Sequence, residues 1–499
     1  MKRRAFCAST LALASTTTLS LRGVLAASSA STEIPVIRGD GKQATITASD
    51  VADLKASLRG ELLLRGQSGY DQARKVWNGA FDRQPSLIAR CAGAADVTQA
   101  VAFARTHNLL VAVRAGGHSL SGQSVCDGGL MIDLSPMRSV HVDPIARVAR
   151  VEPGVLLGEL DREAQFFDMV MPAGTVSHTG AAGLTLGGGY GRVTRRFGLA
   201  CDNLIGADVI TADGRFVRTS EKENPDLLWG LRGGGGNFGV VTSFEYRLHP
   251  VEPMMYGGRL MFSPADTPDV LRFFAGYVAD APDELYIDAA LAVVPKVGRV
   301  MVCDVCYSGP LQKAEGVLDP LRRFRKPLRD ALAPATYVTL QSSGDGGSAP
   351  GRGYYERSGF LRGIEPGLID ASLAIMDEPN AIGEIIYWQH GGAVARVKRD
   401  ATAIWHREAA RSLLVDSDWD DPHDPRARDT AMQWARDTWH KLERFTDGFY
   451  VNTMAGDDPH QRVRATYGGN YPRLVKLKDK YDPTNLFHLN ANVPPSTAS

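Results

Sequence analysis

The sequence lacks several features by which a class of protein is commonly recognised. No hydrophobic run approaches the roughly 20 residues that cross a bilayer, so no membrane span is predicted. The 56 basic residues are balanced by 56 acidic ones, and a chain with no basic excess lacks the electrostatic footprint of a nucleic-acid binder. No cluster of His, Cys or acidic residues has the spacing of metal ligands. We therefore expect a globular protein without a metal, a nucleic-acid partner or a membrane partner, and no particular oligomeric state is predicted.

Cysteine is also scarce, with 6 in 499 residues. Cys303 and Cys306 form a C-x-x-C, which is a spacing found in metal and redox sites. They lie in the apolar run 300–307, however, which is predicted as a strand, and residues three apart on a strand point to opposite faces. We therefore interpret both as buried structural thiols.

The first 30 residues have the composition of a targeting segment. Lys2, Arg3 and Arg4 precede a modestly apolar run, and small residues follow from 26 to 30. This order predicts a signal peptide, and the Arg3-Arg4 pair resembles a twin-arginine signal. We expect export to the periplasm or the medium. The alternative is a basic tail, since Arg22 interrupts the apolar character.

The rest of the chain alternates strand-like and helix-like patterns. Strands are predicted at 87–91, 111–114, 130–134, 140–151, 205–211, 239–248, 301–307 and 382–388. Helices are predicted at 52–65, 95–107, 225–231, 269–279, 425–445 and 471–481. The pattern breaks near 250–253, and beyond it long strands alternate with amphipathic helices, which indicates an antiparallel sheet backed by helices. The predicted fold class is α+β.

Glycine is abundant, with 52 residues, and many of them fall into clusters at 116–122, 183–191 and 233–239. The first cluster follows the predicted strand 111–114, and the backbone N–H groups of such a loop can surround phosphate oxygens. It is not a P-loop, because no Lys-Ser/Thr follows, and it does not open a long helix as a Rossmann fingerprint does. Each cluster alone could be a surface turn. Their occurrence together in one domain indicates a large, extended ligand.

The motifs RAGGHSLSG, GLTLGGGYGRVTRRFGLACDNL and LWGLRGGGGNFGVV resemble the FAD-linked oxidases of the vanillyl-alcohol oxidase type, and within them the berberine-bridge-enzyme branch. The C-terminal runs YGGNYPRL, KDKYDPTNLF and NAN are similar to that branch's terminal segment. The resemblance covers nearly everything after residue 80. It implies a signal peptide (1–30), an N-terminal extension (31–80), a two-lobed FAD-binding domain of the PCMH type (81–252), a substrate-binding domain (253–446) and a C-terminal segment that completes the FAD domain (447–499).

The resemblance also implies how FAD is held. The loop 114–119 would bind the pyrophosphate, and His118 stands where the family joins a histidine covalently to the flavin 8α-methyl. Val176 replaces the cysteine that many members use for a second link, so a single link is expected, and His178 either contacts the flavin or substrate or has an ordinary loop role. The expected cofactor-binding residues are Arg114, Ala115, Gly116, Gly117, His118, Ser119, Gly174, Thr175, Gly180, Gly183, Gly188, Gly191, Asn237, Gly239, Val240, Asn490 and Asn492.

Four residues are the expected catalytic groups. Tyr450, in a Tyr-x-Asn segment, matches a family base, and Tyr190 matches a position near the flavin in some relatives. In the strand before Gly391-Gly392, alternation groups Tyr387 with Gln389 on one face, which we expect to face the substrate. A shift of one residue in register would expose Trp388 and His390 instead.

These resemblances imply an enzyme, an FAD-dependent oxidase that takes hydride from an alcohol, sugar, phenol or amine and passes the electrons to O2. The small residues Ala181 and Ala182 stand where relatives give O2 access to the flavin. The alternatives are a dehydrogenase with another electron acceptor and a flavin-carrying protein without catalytic activity.

Overall fold

The computed structural model describes residues 33–458 and 460–498, so the predicted signal peptide lies outside the described residues. The described chain has two parts. The first carries a four-stranded and a five-stranded sheet, and the second is built on one eight-stranded sheet.

The first part comprises residues 34–250. Its strands are β1 (Ile34–Ile37), β2 (Gln43–Ile46), β3 (Glu61–Leu64), β4 (Leu87–Arg90), β5 (Val111–Arg114), β6 (Leu130–Asp133), β7 (Val140–Asp143), β8 (Val148–Val151), β9 (Met169–Val170), β10 (Leu204–Ile210), β11 (Phe216–Ser220), β12 (Val240–Arg247) and β13 (His249–Pro250). Its helices are α1 (Ala48–Ser57), α2 (Tyr70–Ala73), α3 (Ala94–Thr106), α4 (Leu157–Gln165), α5 (Ala181–Leu186), α6 (Thr194–Phe197) and α7 (Pro225–Leu231).

The four-stranded sheet has the order β3-β4-β6-β5, in which β6 runs parallel to both β4 and β5. Helix α3 packs on it through Val97, Ala100, Val101 and Ala104, whose spacing places them on one helical face. The five-stranded sheet has the order β11-β10-β12-β8-β7. Strand β5 ends at Arg114, so the first glycine cluster begins directly after the carboxyl end of this strand.

Two predicted elements differ from the structure. Residues 140–151, predicted as one strand, are divided by a turn into β7 and β8, which pair antiparallel with each other. The helical pattern at 52–65 contains the end of α1 and then strand β3, which pairs antiparallel with β4. The apolar run Leu62-Leu63-Leu64 fits a strand as well as a helix by periodicity, and pairing with β4 decides between them. Residues 61–64, predicted to lie in an N-terminal extension, are therefore part of this sheet.

The second part comprises residues 255–442. Its strands are β14 (Met255–Phe262), β15 (Leu285–Val294), β16 (Gly298–Tyr307), β17 (Arg329–Asp330), β18 (Ala333–Ala335), β19 (Gly353–Leu361), β20 (Glu384–Gln389) and β21 (Arg411–Trp419). Its helices are α8 (Thr267–Tyr277), α9 (Leu311–Phe324), α10 (Tyr337–Ser342), α11 (Pro366–Met376), α12 (Ala393–Arg396) and α13 (Pro425–Leu442).

The eight-stranded sheet has the order β17-β14-β16-β15-β20-β21-β19, with β18 also on β14, and its pairs are antiparallel. Helices α8, α9, α11 and α13 cover one face and form the largest apolar core with it. The other face turns toward the first part. Cys303 lies in the helix-side core and Cys306 in a separate cluster on the opposite face, so the prediction that the two thiols diverge is confirmed.

The C-terminal segment packs on the first part through α14 (His460–Tyr467) and α15 (Tyr471–Tyr481). Lys478, fully buried, donates from Nζ to Asp482 Oδ2 at 2.7 Å and to the carbonyl oxygens of Asn237 and Phe487 at 3.0 and 2.9 Å. A buried ammonium needs such complete pairing, and the contacts tie the C-terminal segment to the third glycine cluster. The α+β fold class predicted from the sequence is confirmed.

Three further features of the described residues concern membrane-spanning helices, metal ligands and cysteines. No helix in the described part of the chain is both long and apolar enough to cross a bilayer. Over residues 33–458 and 460–498, no group of three or more His, Cys, Asp or Glu side chains could hold a metal ion. Cys91, Cys126, Cys201, Cys303 and Cys306 are free and buried.

Candidate active site

The first glycine cluster and the loop after β9 touch backbone to backbone. A Cβ on Gly116 would lie 2.4 Å from Gly180 Cα, and one on Gly180 would lie 2.7 Å from Gly116 Cα. Gly117 has φ +68°, a left-handed conformation that glycine adopts without strain. Arg114 closes the strand side, donating from Nη1 to the buried Asp133 at 3.3 Å. No side chain fits between these two loops.

The second glycine cluster lies against the C-terminal segment. A Cβ on Gly187 would reach Asn452 Oδ1 at 2.0 Å, and Gly191 forms a backbone bridge with Gly174. Gly188 has φ +125°, whereas Gly183, in α5, has open space where its Cβ would be. The second cluster thus lies close to both the loop of Thr175 and the C-terminal segment, with no side chain at Gly187 or Gly191 between them.

The third cluster is joined to the chain end by Asn237. Its Nδ2 donates to the carbonyl oxygens of Gly234 and Ala491 at 2.8 and 3.2 Å, and its Oδ1 accepts from Val493 N–H at 3.0 Å. Gly239, with φ +148°, then leads into β12 at Val240, against the backbone of β10. The sequence-predicted residues Asn490 and Asn492 are thereby brought beside this cluster.

His118 lies at the junction of the two parts. Its ring stacks on Trp77 at 4.2 Å between centroids, and Trp77 in turn stacks on Tyr354 of β19 at 4.1 Å. Its Nε2 is 3.1 Å from His178 Nδ1. Burial, and after it electrostatic repulsion between the two neighbouring imidazoles, lowers the pKa of His118 to about 3, so its imidazole is neutral at pH 7. Nearby, Ser119 Oγ accepts from Gln123 N–H at 3.2 Å.

Tyr450 and Tyr190 meet edge to face in an aromatic chamber, with centroids 4.9 Å apart and an interplanar angle of 86°. Tyr450 Oη accepts from Gly189 N–H at 2.9 Å and from Asn452 Nδ2 at 2.6 Å. Burial raises the pKa of both phenols, and these two donors partly oppose the effect at Tyr450. The Arg407 guanidinium, itself paired with Asp202 at 2.6 Å, opposes it at Tyr190.

The prediction for β20 is wrong in register. Tyr387 points to the helix side, where its Oη donates to Ser372 Oγ of α11 at 2.8 Å. Gln389 is also turned from the chamber, because its Oε1 accepts from Ile287 N–H at 2.6 Å. Pairing with β15 and β21 sets this register. Trp388 takes the expected place, 5.9 Å from the rings of both Tyr190 and Tyr450.

Of two further aromatic groups at the site, one was named only in the alternative register and the other was missed. The His390 ring lies 3.8 Å from that of Tyr190, and its Nε2 is 2.7 Å from Ser412 Oγ. The alternative register of this strand included both Trp388 and His390, so strand alternation had already grouped these two residues on one face. Trp77 gave no signal, since it lies outside every recognised motif and its partners are distant in sequence.

The residues of these loops fit a flavin dinucleotide. Gly116, Gly180 and Gly183 carry no side chain that would keep a ligand away from the backbone. Polar atoms lie along the same loops. In these loops and the C-terminal segment, the buried atoms without a hydrogen-bond partner among the described residues include Arg114 Nε, His178 Nε2, Asn490 Oδ1 and Asn492 Oδ1. Buried polar atoms are normally satisfied, so their lack of protein partners indicates a polar ligand.

Comparison with known proteins agrees with this geometry. Residues 85–220 match the family profile of an FAD binding domain, and residues 449–494 match that described as berberine and berberine like. An FAD-linked oxidoreductase of Dictyostelium discoideum is 33% identical over 88% of this chain and 95% of its own. The chain is a berberine-bridge-like FAD-linked oxidoreductase. The family resemblance inferred from the sequence motifs is thus confirmed.

Solved structures of such oxidoreductases share the fold. The crystal structure of 6-hydroxy-D-nicotine oxidase from Arthrobacter nicotinovorans has a TM-score of 0.81 and 29% identity, covering 88% of this chain and 99% of that one. A chitooligosaccharide oxidase has a TM-score of 0.80 at 23% identity, covering 90% and 100%, and shows the likeness of fold alone. This oxidoreductase therefore has the whole architecture of its relatives, and FAD is its cofactor.

Proposed function

We propose that this FAD-linked oxidoreductase is an oxidase that takes hydride from a carbon bearing a hydroxyl or amino group of a small molecule and delivers the electrons to O2. The observation that carries the proposal is the Tyr450 phenol, held in a closed aromatic chamber between the two parts of the chain. Bound FAD supplies the two-electron acceptor. The similarity to an enzyme named as an oxidase of a nicotine derivative supports a small-molecule substrate.

Tyr450 is placed to take a proton. The N–H groups of Gly189 and Asn452 occupy the two acceptor positions of its oxygen, so the neutral phenol can only donate its O–H, and the base is the phenolate from which that proton has already been lost. The same two donors stabilise the phenolate, in the manner of an oxyanion hole. In the phenolate the position of the lost proton is free, so a substrate hydroxyl or ammonium that contacts this oxygen can give up its proton there as hydride leaves the adjacent carbon.

Tyr190, Trp388 and His390 form the walls that exclude water from this proton transfer. Their rings pack at centroid distances of 3.8 to 6.0 Å. Such walls bind a sugar or an aromatic ring by stacking. Excluding water also strengthens the hydrogen bonds at Tyr450.

The flavin tether through His118 is part of the proposal. The neutral imidazole at the loop edge has a nitrogen lone pair to offer the flavin 8α-methyl, and the second link is expected to be absent because Val176 replaces cysteine. A covalent bond fixes the ring and raises its reduction potential, which favours acceptance of hydride.

We also propose export by the twin-arginine route, on the strength of the N-terminal sequence. This route carries folded proteins, which suits an enzyme that loads FAD before export. Fractionation of the native host with the Arg3→Lys, Arg4→Lys double variant tests it: the wild type is expected outside the cytoplasm and the variant inside.

A screen of sugars, phenols, secondary alcohols and cyclic amines with peroxide-coupled detection tests the oxidase. A hit should bleach the flavin without air, and admitting air should restore its colour at a rate at least matching turnover. Slow recovery with fast reduction by the same substrate would instead identify a dehydrogenase. Failure of every class to reduce the flavin would favour the non-catalytic alternative.

A further inference from the structure

The imidazole of His118 is fixed on two sides by this chain. Trp77 lies nearly parallel to it, at an interplanar angle of 14°, and is itself anchored by Nε1–H donation to the Ser348 carbonyl at 2.7 Å. At the ring edge, Nε2 meets His178 Nδ1 at 3.1 Å. The ring therefore has a defined plane and a defined hydrogen bond.

This contact restricts which nitrogen of His118 is nucleophilic. A neutral imidazole carries one proton, and the nitrogen that keeps it has no lone pair for bond formation. If Nε2 holds the proton and donates it to His178 Nδ1, the lone pair is on Nδ1. The hydrogen bond made by Nε2 then decides which tautomer of His118 forms, as the hydrogen bond of the non-ligating nitrogen does for metal-bound histidines.

The other nitrogen of His178 is compatible with this direction. With Nδ1 accepting, its Nε2 carries the proton, and this buried atom has no hydrogen-bond partner among the described residues. A buried donor without a protein partner indicates an acceptor on the ligand. This arrangement of protons thus satisfies both rings once an acceptor on the flavin meets that N–H.

We propose that His178 is a positioning residue for flavin attachment: it accepts the Nε2 proton of His118 and so makes Nδ1 the nitrogen that bonds to the flavin. The inference rests on the proposed His118 tether. His118 Nδ1 forms the new bond to the 8α carbon, one C–H bond of the methyl group breaks, and His118 loses its Nε2 proton to His178. Two electrons and two protons are released overall, and O2 takes them by way of the isoalloxazine as H2O2.

Apoprotein from riboflavin-starved cells, mixed with FAD in air, tests the proposal. Covalent flavin is followed as fluorescence of the denatured band, and reversible FAD affinity is measured separately. We expect His178→Ala to slow attachment about 10²-fold, as for loss of general-base assistance, with FAD affinity within a few-fold of wild type. Ser177→Ala is the matched control in the same loop and should attach at the wild-type rate. His178→Gly should recover part of its rate with added imidazole.

The linked nitrogen gives a second readout. NMR of the flavin peptide from wild type should show substitution at Nδ1 of His118. Substitution at Nε2, or attachment in His178→Ala as fast as in wild type, overturns the role of His178 and leaves the tether intact. A wild-type protein without covalent flavin overturns the tether and this inference together.

Discussion

The two sides of the active site are built from different parts of the polypeptide. On the side of residues 34–250 the surface is backbone, with Gly116 and Gly180 so close that neither tolerates a Cβ. On the side of the eight-stranded sheet it consists of side chains, among them Trp388 and His390. A backbone surface recognises what every FAD presents, whereas strand side chains can change without disturbing the fold. The first side should therefore control cofactor retention and the second substrate turnover.

The largest expected effect is on the cofactor side. His118→Ala removes the only nitrogen donor proposed for the tether, so the fluorescent band of denatured protein should vanish, while FAD still binds reversibly through the glycine loops. His141→Ala, on the exposed strand β7, is the control and should stay fluorescent. If the His118 variant still carries FAD by mass, the link is elsewhere, and His178 is the next position to examine.

The next effect tests the chamber between the two sides. Tyr450→Phe keeps the ring but removes the proton acceptor, so flavin reduction in a single turnover should slow by ~10²–10⁴-fold, while reoxidation by O2 stays near the wild-type rate. Because burial raises the pKa of Tyr450 above its usual value of about 10, the wild-type reduction rate should rise with pH into the alkaline range. That rise should be absent in the variant. Reduction within a few-fold of wild type would assign the base to another group.

A pair of glycine substitutions sharpens the comparison on the backbone side. Gly180→Ala places a Cβ against Gly116 at 2.7 Å, whereas Gly183→Ala, in the following helix, meets open space. Overpacking of this kind typically costs 1–3 kcal/mol, which corresponds to roughly 5- to 150-fold at about 1.4 kcal/mol per tenfold. We expect the loss in reversible FAD affinity for Gly180→Ala, measured in a His118→Ala background. Equal affinities in the two variants would show that the loops can separate freely.

The residues on the cofactor side of the active site could be predicted from the sequence better than those on the side of the eight-stranded sheet. His118, the glycine clusters and the pair Tyr450 and Asn452 lie in short local motifs, so the structure brings together residues that a linear pattern could name. The face of β20 depends on hydrogen bonding to β15 and β21, which lie far away along the chain, and a shift of one residue exchanges Tyr387 for Trp388. Trp77 was missed for the same reason, since its stacking partners come from distant loops.

A buried carboxyl between the two sides should make their contact sensitive to pH. Asp161 of α4 accepts from Gln341 Nε2 of α10 at 3.3 Å, and the same amide donates to the Ala173 carbonyl at 3.1 Å. Burial raises the pKa of Asp161 to about 8. The folded state thus holds a proton that the unfolded chain releases above about pH 4, and the stability from this group falls as pH rises from about 4 to 8.

Asp161→Asn removes this titration and keeps an acceptor for Gln341. Its stability relative to wild type should therefore improve as pH rises, by just under about 3 kcal/mol between pH 5 and pH 7 at ~1.4 kcal/mol per pH unit. Denaturant unfolding of both proteins at each pH measures it, and the difference cancels the other titrating groups. A difference that does not vary with pH would show that Asp161 is ionised in the folded protein.

The smallest effect tests the corrected register of β20. Tyr387→Phe removes only the hydrogen bond to Ser372, inside the helix-side core. A buried hydrogen bond contributes about 0.5–1.5 kcal/mol to stability, so unfolding should become easier by that amount while flavin reduction stays within about twofold of wild type. Trp388→Phe, one residue along the strand, should also lose a hydrogen bond, but it should alter flavin reduction as well. It keeps an aromatic wall but loses donation from its Nε1 to Tyr286 at 2.9 Å and part of the contact with Tyr190 and Tyr450. Reduction kinetics should change more in this variant than in Tyr387→Phe. If Tyr387→Phe instead impaired reduction and Trp388→Phe did not, the face of β20 toward the flavin would be the one first predicted from alternation, and side-chain recognition on this sheet would have to be reassigned.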